Sequence, residues 1–300
     1  VGGLGREERA VIEAFGGDAP AQDAVHAVAT VLRDAGVRRA GVDDGGAASL
    51  YRGLVESLAG VDCVPAGEAW RRVRAVKEPE EIERLREAAG IVEAAMEAVW
   101  RHVRPGASEA ELARLAADVM TNAGARPTLW YVGVGASSAL VDRLPTDRVV
   151  ARGDLVMVDF GCEHGGYYAD LARTAVVGEP DPRIAGRYTA VRSAEAAAIA
   201  RIRAGRAATD VFAHAIRAAR SAGIPHFDRR HVGHGIGLEP YDLPILTDAS
   251  EDPLEAGTVL NVETPYYEVG FGGLQLEDTL VVTEEGVEFL SSAPRDLRVL

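Results

Sequence analysis

Four carboxylates stand inside otherwise apolar runs: Asp159 in VMVDF, Asp170 in YYADLA, Glu263 in NVET and Glu277 in LQLED. A histidine, His234, falls between the two pairs along the chain, set among glycines in HVGHGIG. An unpaired carboxylate is expensive to bury among apolar neighbours. Buried acids that cluster raise one another's pKa, so they must share protons or share cations. Four acids and an imidazole make a hard, oxygen-rich donor set suited to Mn2+, Co2+, Fe2+ or Zn2+, as a carboxylate-bridged pair with the ions ~3.5–4 Å apart. Any one of these acids alone could instead cap a turn or pair with an arginine. All five in this order and context favour the cation reading.

The elements that must position them follow from periodicity. DLVMVDF (154–160) is a nearly continuous apolar run ending at Gly161, and GGYYADLARTAVVG alternates as its hairpin partner, which puts Asp170 across from the first strand. TVLNVETPYY and GGLQLEDTLVVT form a second pair joined through EVGFGG, and VEFL is a last short strand. Upstream, RAVKEPEEIERLREAAGIVEAAMEAVW predicts a helix with Pro79 at its first position and Glu80 and Glu81 at the positive end of its dipole. A sparse internal repeat relates 104–124 to 203–223: each begins Arg-x-Gly, carries an acidic-apolar pair (Glu111-Leu112, Asp210-Val211) and closes on glycine. As a duplication it makes each half read helix, helix, strands. Before it, a helix from Asp23 to Arg33, a strand at RRAGVDD, a helix from Ala47 to Leu58 and a strand at VDCVPA describe a small α/β unit, with a domain boundary near residue 75.

Three hundred residues, 47% of them hydrophobic, can bury a substantial core in one large domain with a smaller partner. The chain has no run of about eighteen apolar residues, and its first twenty carry too many charges for a signal peptide, so no membrane association is expected. With 46 acidic against 32 basic residues and a net charge of −14, nucleic acid and anionic lipid are disfavoured as partners. Cys63 and Cys162, without a C-x-x-C spacing, predict a reducing compartment, the cytoplasm.

VMVDFGCEHGGYYADLARTAVVG, HVGHGIG, NVETPYY and GGLQLEDTLVVTEEG together resemble the creatinase and Xaa-Pro dipeptidase family, which also includes aminopeptidase P and methionine aminopeptidase. The resemblance implies the α+β pita-bread fold over residues 76–300, with pseudo-twofold helix-helix-strand halves around a curved antiparallel sheet. Residues 1–75 are expected to be the second part of that family's N-terminal α/β domain, its first part absent from this sequence. Carried over position by position, the family implies two divalent metal ions, Mn2+ before Co2+, Fe2+ or Zn2+. Asp159 would bind one, His234 and Glu263 the other, and Asp170 and Glu277 would bridge them. It also implies a metal-bridged water as nucleophile, Glu263 as proton shuttle and His231 in the substrate pocket, helping to hold the tetrahedral intermediate. A small or short-peptide substrate and a homodimer complete the expectation. The glycines of HVGHGIG would let the backbone pass close to metal and substrate.

Three positions depart from the dipeptidase pattern. Tyr241-Asp242 stand where those enzymes have His-Glu, and Asp142 stands where a second substrate-facing His is expected. Gln275 stands, as in methionine aminopeptidases, where the dipeptidases have an Arg associated with the substrate's carboxylate. Tyr241 can donate to a developing oxyanion, Asp142 would prefer a cationic or donating group, and Gln275 a neutral one. The favoured reading is a metallohydrolase of the Xaa-Pro peptidase type. The altered pocket also admits a specialised amide or amidine hydrolase resembling creatinase or ectoine hydrolase, or a lyase. A binding module without catalysis is the third alternative.

Overall fold

Short helices and two strands alternate in the first of two units, which divide at Arg72/Val73. They are α1 (Ala24–Asp34), β1 (Arg39–Val42), α2 (Ala48–Ser57), β2 (Asp62–Pro65) and α3 (Gly67–Ala75), the last running across the division. β1 and β2 pair in parallel, Arg39 opposite Asp62, through the helical crossover that parallel pairing requires. The computed structural model describes residues 24–45, 48–141 and 143–300, so Asp142 and the expected helix starts at Asp23 and Ala47 lie outside the described residues.

The second unit is built as two halves, each a helix pair on antiparallel strands. The first half holds α4 (Pro79–His102), α5 (Glu109–Asn122), β3 (Arg126–Val134), β4 (Leu155–His164) and β5 (Tyr167–Val176). The second holds α6 (Pro182–Ile199), α7 (Ala208–Ser221), β6 (Gly233–Gly235), β7 (Asp242–Ile245), β8 (Val259–Glu263), β9 (Tyr266–Glu268), β10 (Gly272–Leu274), β11 (Glu277–Val282) and β12 (Val287–Phe289). The closing strand β13 (Arg298–Val299) returns to the first half, giving sheets of order β13-β5-β4-β3 and β12-β11-β8-β6-β7. Helix starts follow their local chemistry: Ser108 and Glu111 bond reciprocally at the head of α5, and Asp181 accepts from Ile184 N before Pro182 opens α6.

The repeat is written in backbone hydrogen bonds. Gly106 N donates to Val150 O at 2.9 Å and Gly205 N to Leu254 O at 2.8 Å, while Gly153 N and Gly257 N donate to Val177 O and Val282 O. All four glycines have φ between 79° and 91°, a region that favours glycine. The correspondence makes β4 and β8 equivalent strands, and Asp159 and Glu263 are each the fifth residue of theirs. Each half has its own core, with Val158 and Phe160 of β4 facing α4 and α5, and Leu260 and Val262 of β8 facing α6 and α7. Alternation along a strand then turns Asp159 and Glu263 to the other face. Among the described residues no helix is long and apolar enough to cross a membrane.

Candidate metal centre

β8 and β11 pair antiparallel with Glu263 directly opposite Glu277, and His234 of β6 lies opposite Asn261 of β8. In the other sheet, Asp159 pairs with Ala172 and Asp170 with Gly161. Like charges directly opposed across a ladder repel, so the Glu263–Glu277 pair demands protons or a counter-ion. Ligand atoms of Asp170, His234 and Glu277 all lie within 4.8 Å of one another. Burial, then the charges of Asp159 and Glu263, pushes the Asp170 carboxyl well above the usual carboxylate range. Burial, then Asp170, Glu263 and Asp159, does the same to Glu277. Glu263 is raised to about 7 by burial, against the Arg229 charge, with a further push from Asp159.

His234 is fully buried, and its Nδ1 lies 2.9 Å from the Gly235 carbonyl oxygen, which can only accept. Nδ1 therefore carries the hydrogen, and the Nε2 lone pair is left buried without a hydrogen-bond partner. Burial holds this imidazole down to about 4, so it is neutral at physiological pH. Asp170 Oδ1 is likewise buried without a hydrogen-bond partner. Acids kept protonated for want of positive charge, beside a neutral imidazole with its lone pair inward, are the donors a divalent cation needs.

Asn261, Thr279 and Tyr267, which the sequence does not single out, and Gln275, expected toward the substrate, hold these donors in place. Asn261 Nδ2 donates to Asp170 O at 2.8 Å and to Glu277 Oε1 at 3.1 Å, and its Oδ1 accepts from Thr279 Oγ1 at 2.9 Å. Tyr267 donates to Gln275 Oε1 at 2.9 Å, and Gln275 Nε2 donates to Glu277 Oε2 at 3.3 Å. Gln275 is thus buried with both ends of its amide engaged. Asn261 shares a face with Glu263 two residues on, a signal present in the strand alternation.

Tyr241 stacks on the His234 ring, 3.7 Å between centroids and 15° from parallel. His231 stands edge-on to both, with Nδ1 3.4 Å from Glu263 Oε1. The next residue, Asp242, is buried and accepts from Arg74 Nε at 3.0 Å, which anchors the loop carrying Tyr241. A cavity of about 290 Å3 lined by Leu129, Trp130, Tyr131, Leu144 and Pro145 reaches Asp159. The glycines of HVGHGIG serve the sheet: a Cβ on Gly233 would strike Asn261 O, one on Gly235 would strike Leu243 O, and one on Gly237 would meet Lys77 Cε at 2.8 Å. Close strand packing, more than room for a metal, requires them.

Residues 83–284 match the model of metallopeptidase family M24. The chain is 29% identical over 279 residues to "Uncharacterized peptidase YqhT" of Bacillus subtilis, covering 92% of this chain and 79% of that protein. It is 33% identical over 249 residues to "Probable dipeptidase PepE" of Mycobacterium tuberculosis, covering 82% of this chain and 66% of that protein. Its fold superposes on the X-Pro aminopeptidase of Thermotoga maritima with a TM-score of 0.85 at 28% identity, covering 93% of this chain and 80% of that one.

Proposed function

This chain belongs to metallopeptidase family M24, and on that premise we propose that it is a dinuclear-metal-dependent hydrolase of the Xaa-Pro peptidase type, cleaving a C–N bond of a short peptide. The observation that carries the reading is the buried gathering of carboxylates around a neutral His234 whose Nε2 lacks a partner. Asp159 would hold one ion, His234 and Glu263 the other, with Asp170 and Glu277 between them. When bound, the two ions supply Lewis acidity, lowering the pKa of a water toward neutrality and polarising the scissile carbonyl.

The remaining work falls to side chains. Glu263 can take a proton on its carboxylate and pass it to the leaving nitrogen. His231, with Nδ1 3.4 Å from that carboxylate, is placed to donate its one N–H to the developing oxyanion. Burial, then the charges of Glu263 and Glu277, keeps the Tyr241 hydroxyl protonated, so it serves as a second donor. Gln275 presents a neutral amide beside Glu277, and Asp142 favours a cationic or donating group. The relatives named as dipeptidase and X-Pro aminopeptidase support a short peptide substrate. The oxygen-rich donors support Mn2+; family likeness supports a homodimer, and the scarce cysteines a cytoplasmic setting.

Purified protein is expected to bind two divalent ions and to split alanyl-proline, with loss of activity in chelator and recovery on adding Mn2+. A protein that binds no transition metal sinks the reading. Tyr241, stacked on a proposed ligand and 52% exposed, favours a second reading, an amide or amidine hydrolase of the same fold. Efficient release of free amino acids from X-Pro dipeptides would eliminate it.

A further inference from the structure

Lys77 is the chain's single lysine among 32 basic residues, the rest being arginine. It is 5% exposed and lies between α3 and α4, where its backbone N donates to Gly257 O at 2.9 Å just ahead of β8. Its side chain reaches the loop that follows His234. A Cβ on Gly237 would meet Lys77 Cε at 2.8 Å, Lys77 Nζ at 3.2 Å and Asp242 Oδ2 at 3.5 Å. The ammonium and that carboxylate oxygen therefore face one another across the bare side of Gly237. One ammonium hydrogen goes to Ala75 O at 3.0 Å, while Asp242 Oδ2 is buried without a hydrogen-bond partner.

The loop, residues 237–242, carries Tyr241 to its place on the His234 ring. Apolar packing does little to hold it, since Leu238, Glu239, Pro240 and Tyr241 are all exposed. The grip is polar. Arg74 meets Asp242 Oδ1 at 3.0 Å and Glu239 Oε2 at 2.6 Å, and Tyr168 N donates to Gly237 O at 2.9 Å. Arg74 is thus divided between two acids, and a buried carboxylate with one oxygen unbonded is costly unless more positive charge stands near. Lys77 supplies it. Burial lowers its ammonium to about 8, against the pull of Asp242 and Glu81 and with Arg74 repelling, so it is charged at neutral pH. An ammonium is compact where a guanidinium is broad and planar. A seat with no room for a methyl group on Gly237 accounts for a lysine here, where arginine serves everywhere else.

We infer that Lys77 is a positioning residue: with Arg74 it holds the 237–242 loop through Asp242, and so keeps Tyr241 on the face of His234. The hold on the loop rests on geometry alone. Its consequence for turnover rests on the hydrolase reading above, in which the Tyr241 hydroxyl donates to the developing oxyanion.

Lys77→Met keeps much of the side chain's length and removes its charge. In metal-loaded protein at neutral pH, hydrogen exchange at the amides tied to the loop, those of Tyr168, Gly237 and Leu243, is expected to quicken roughly 10-fold, while amides of β11 keep their protection. With alanyl-proline, kcat is expected to fall roughly 10-fold and KM to change less than about twofold. Tyr241→Phe should lose as much, and the double variant no more than either, because both losses run through one hydroxyl. Asp242→Asn, which takes away the charge that Lys77 faces, should quicken exchange at the same amides and serves where Lys77→Met does not fold. Unchanged exchange at the three amides, or kcat losses that add in the double variant, overturns the inference and leaves Lys77 a buried packing residue. If the wild-type protein cleaves no dipeptide, the hydrolase reading fails and the exchange result alone decides the positioning.

Discussion

Glu263 and Glu277 face each other across β8 and β11, and Asp170 joins them, so the metal-free fold must hold protons that an unfolded chain would release. Burial and mutual repulsion raise all three, Glu263 to about 7. A carboxyl protonated in the fold but ionised in the unfolded chain makes stability fall as pH rises, by about 1.4 kcal/mol per pH unit for each such group. Glu195, raised by burial beside Asp278, adds the same slope from outside the cluster across the window of about pH 6.5 to 8. His231 and His234, both lowered by burial, act in the opposite sense and add stability as pH rises through the free imidazole value of about 6.5, a smaller effect because most of it lies below the window. Lys77, lowered by burial to about 8, begins to titrate only at the upper end. Glu109 and Asp278, both drawn down, lose their stabilising contribution only as pH falls through the acid range. Metal-free protein is therefore expected to be less stable to urea at pH 8 than at pH 6.5. Metal, which displaces those protons, should bind more tightly at pH 8. Urea stability that rises across that window in the presence of chelator would mean that the acids are already ionised and the cluster differs from the one described.

At the scale of elements, one buried acid organises the wall of the cavity. Glu109 lies in the first turn of α5, where an acid reads as a complement to the helix dipole. In the fold it is fully buried and gathers the segment after β3: Val134 N at 2.9 Å, Ser137 Oγ at 2.7 Å, two nitrogens of Arg143 at 2.7 and 2.8 Å, and Thr146 Oγ1 at 2.7 Å. Burial pushes this carboxyl up, but the bonds from Arg143, Ser137 and Thr146 overcome it and bring it to about 2. The same segment supplies Leu144 and Pro145 to the cavity at Asp159. Glu109→Gln is expected to cost about 2–4 kcal/mol, because it strands a partly buried guanidinium. It should also raise KM several-fold with metal content unchanged. Lost stability with an unaltered KM would confine Glu109 to a structural role. The helices and strands themselves are legible in the sequence, since Pro79, Ser108 and Asp181 mark starts and the apolar faces of β4 and β8 mark cores. The partners of Glu109 are not legible, lying 25 to 37 residues away with nothing local to announce them. Arg74 and Asp242 are 168 residues apart and equally silent. Asn261 is legible only in its face: a neutral amide in an apolar strand has no burial penalty large enough to point to a cation. The glycines of HVGHGIG point correctly to close approach, but their neighbours are strands and Lys77, which only the three-dimensional register discloses.

For the second unit as a whole, the candidate centre is a seam between halves that fold around separate cores. Asp159 and Asp170 come from the first half, and His234, Glu263 and Glu277 from the second. Beside the bond from Asn261 to Asp170 O, a tie across this seam is made by Arg173 of β5, which donates to Asp278 Oδ1 and to Glu277 O of β11, both at 2.5 Å. Arg295 Nε, also at 2.5 Å, holds the other oxygen of Asp278. That tie sits one residue behind a proposed bridging carboxylate, so it fixes the backbone while the acids in front repel. Two divalent ions would remove the repulsion and offset four of the fourteen net negative charges. At about 100 times Kd each independently bound ion is expected to add about 2.7 kcal/mol, a rise of roughly 5–8 °C apiece in unfolding temperature. The distribution of that gain is the sharper test. Hydrogen exchange with and without chelator is expected to show new protection in β4 and β5 and in β8 and β11 together, because ions shared by both halves must be released before either sheet opens. Protection gained in one sheet alone would place the ions within that half and overturn a centre built across the seam.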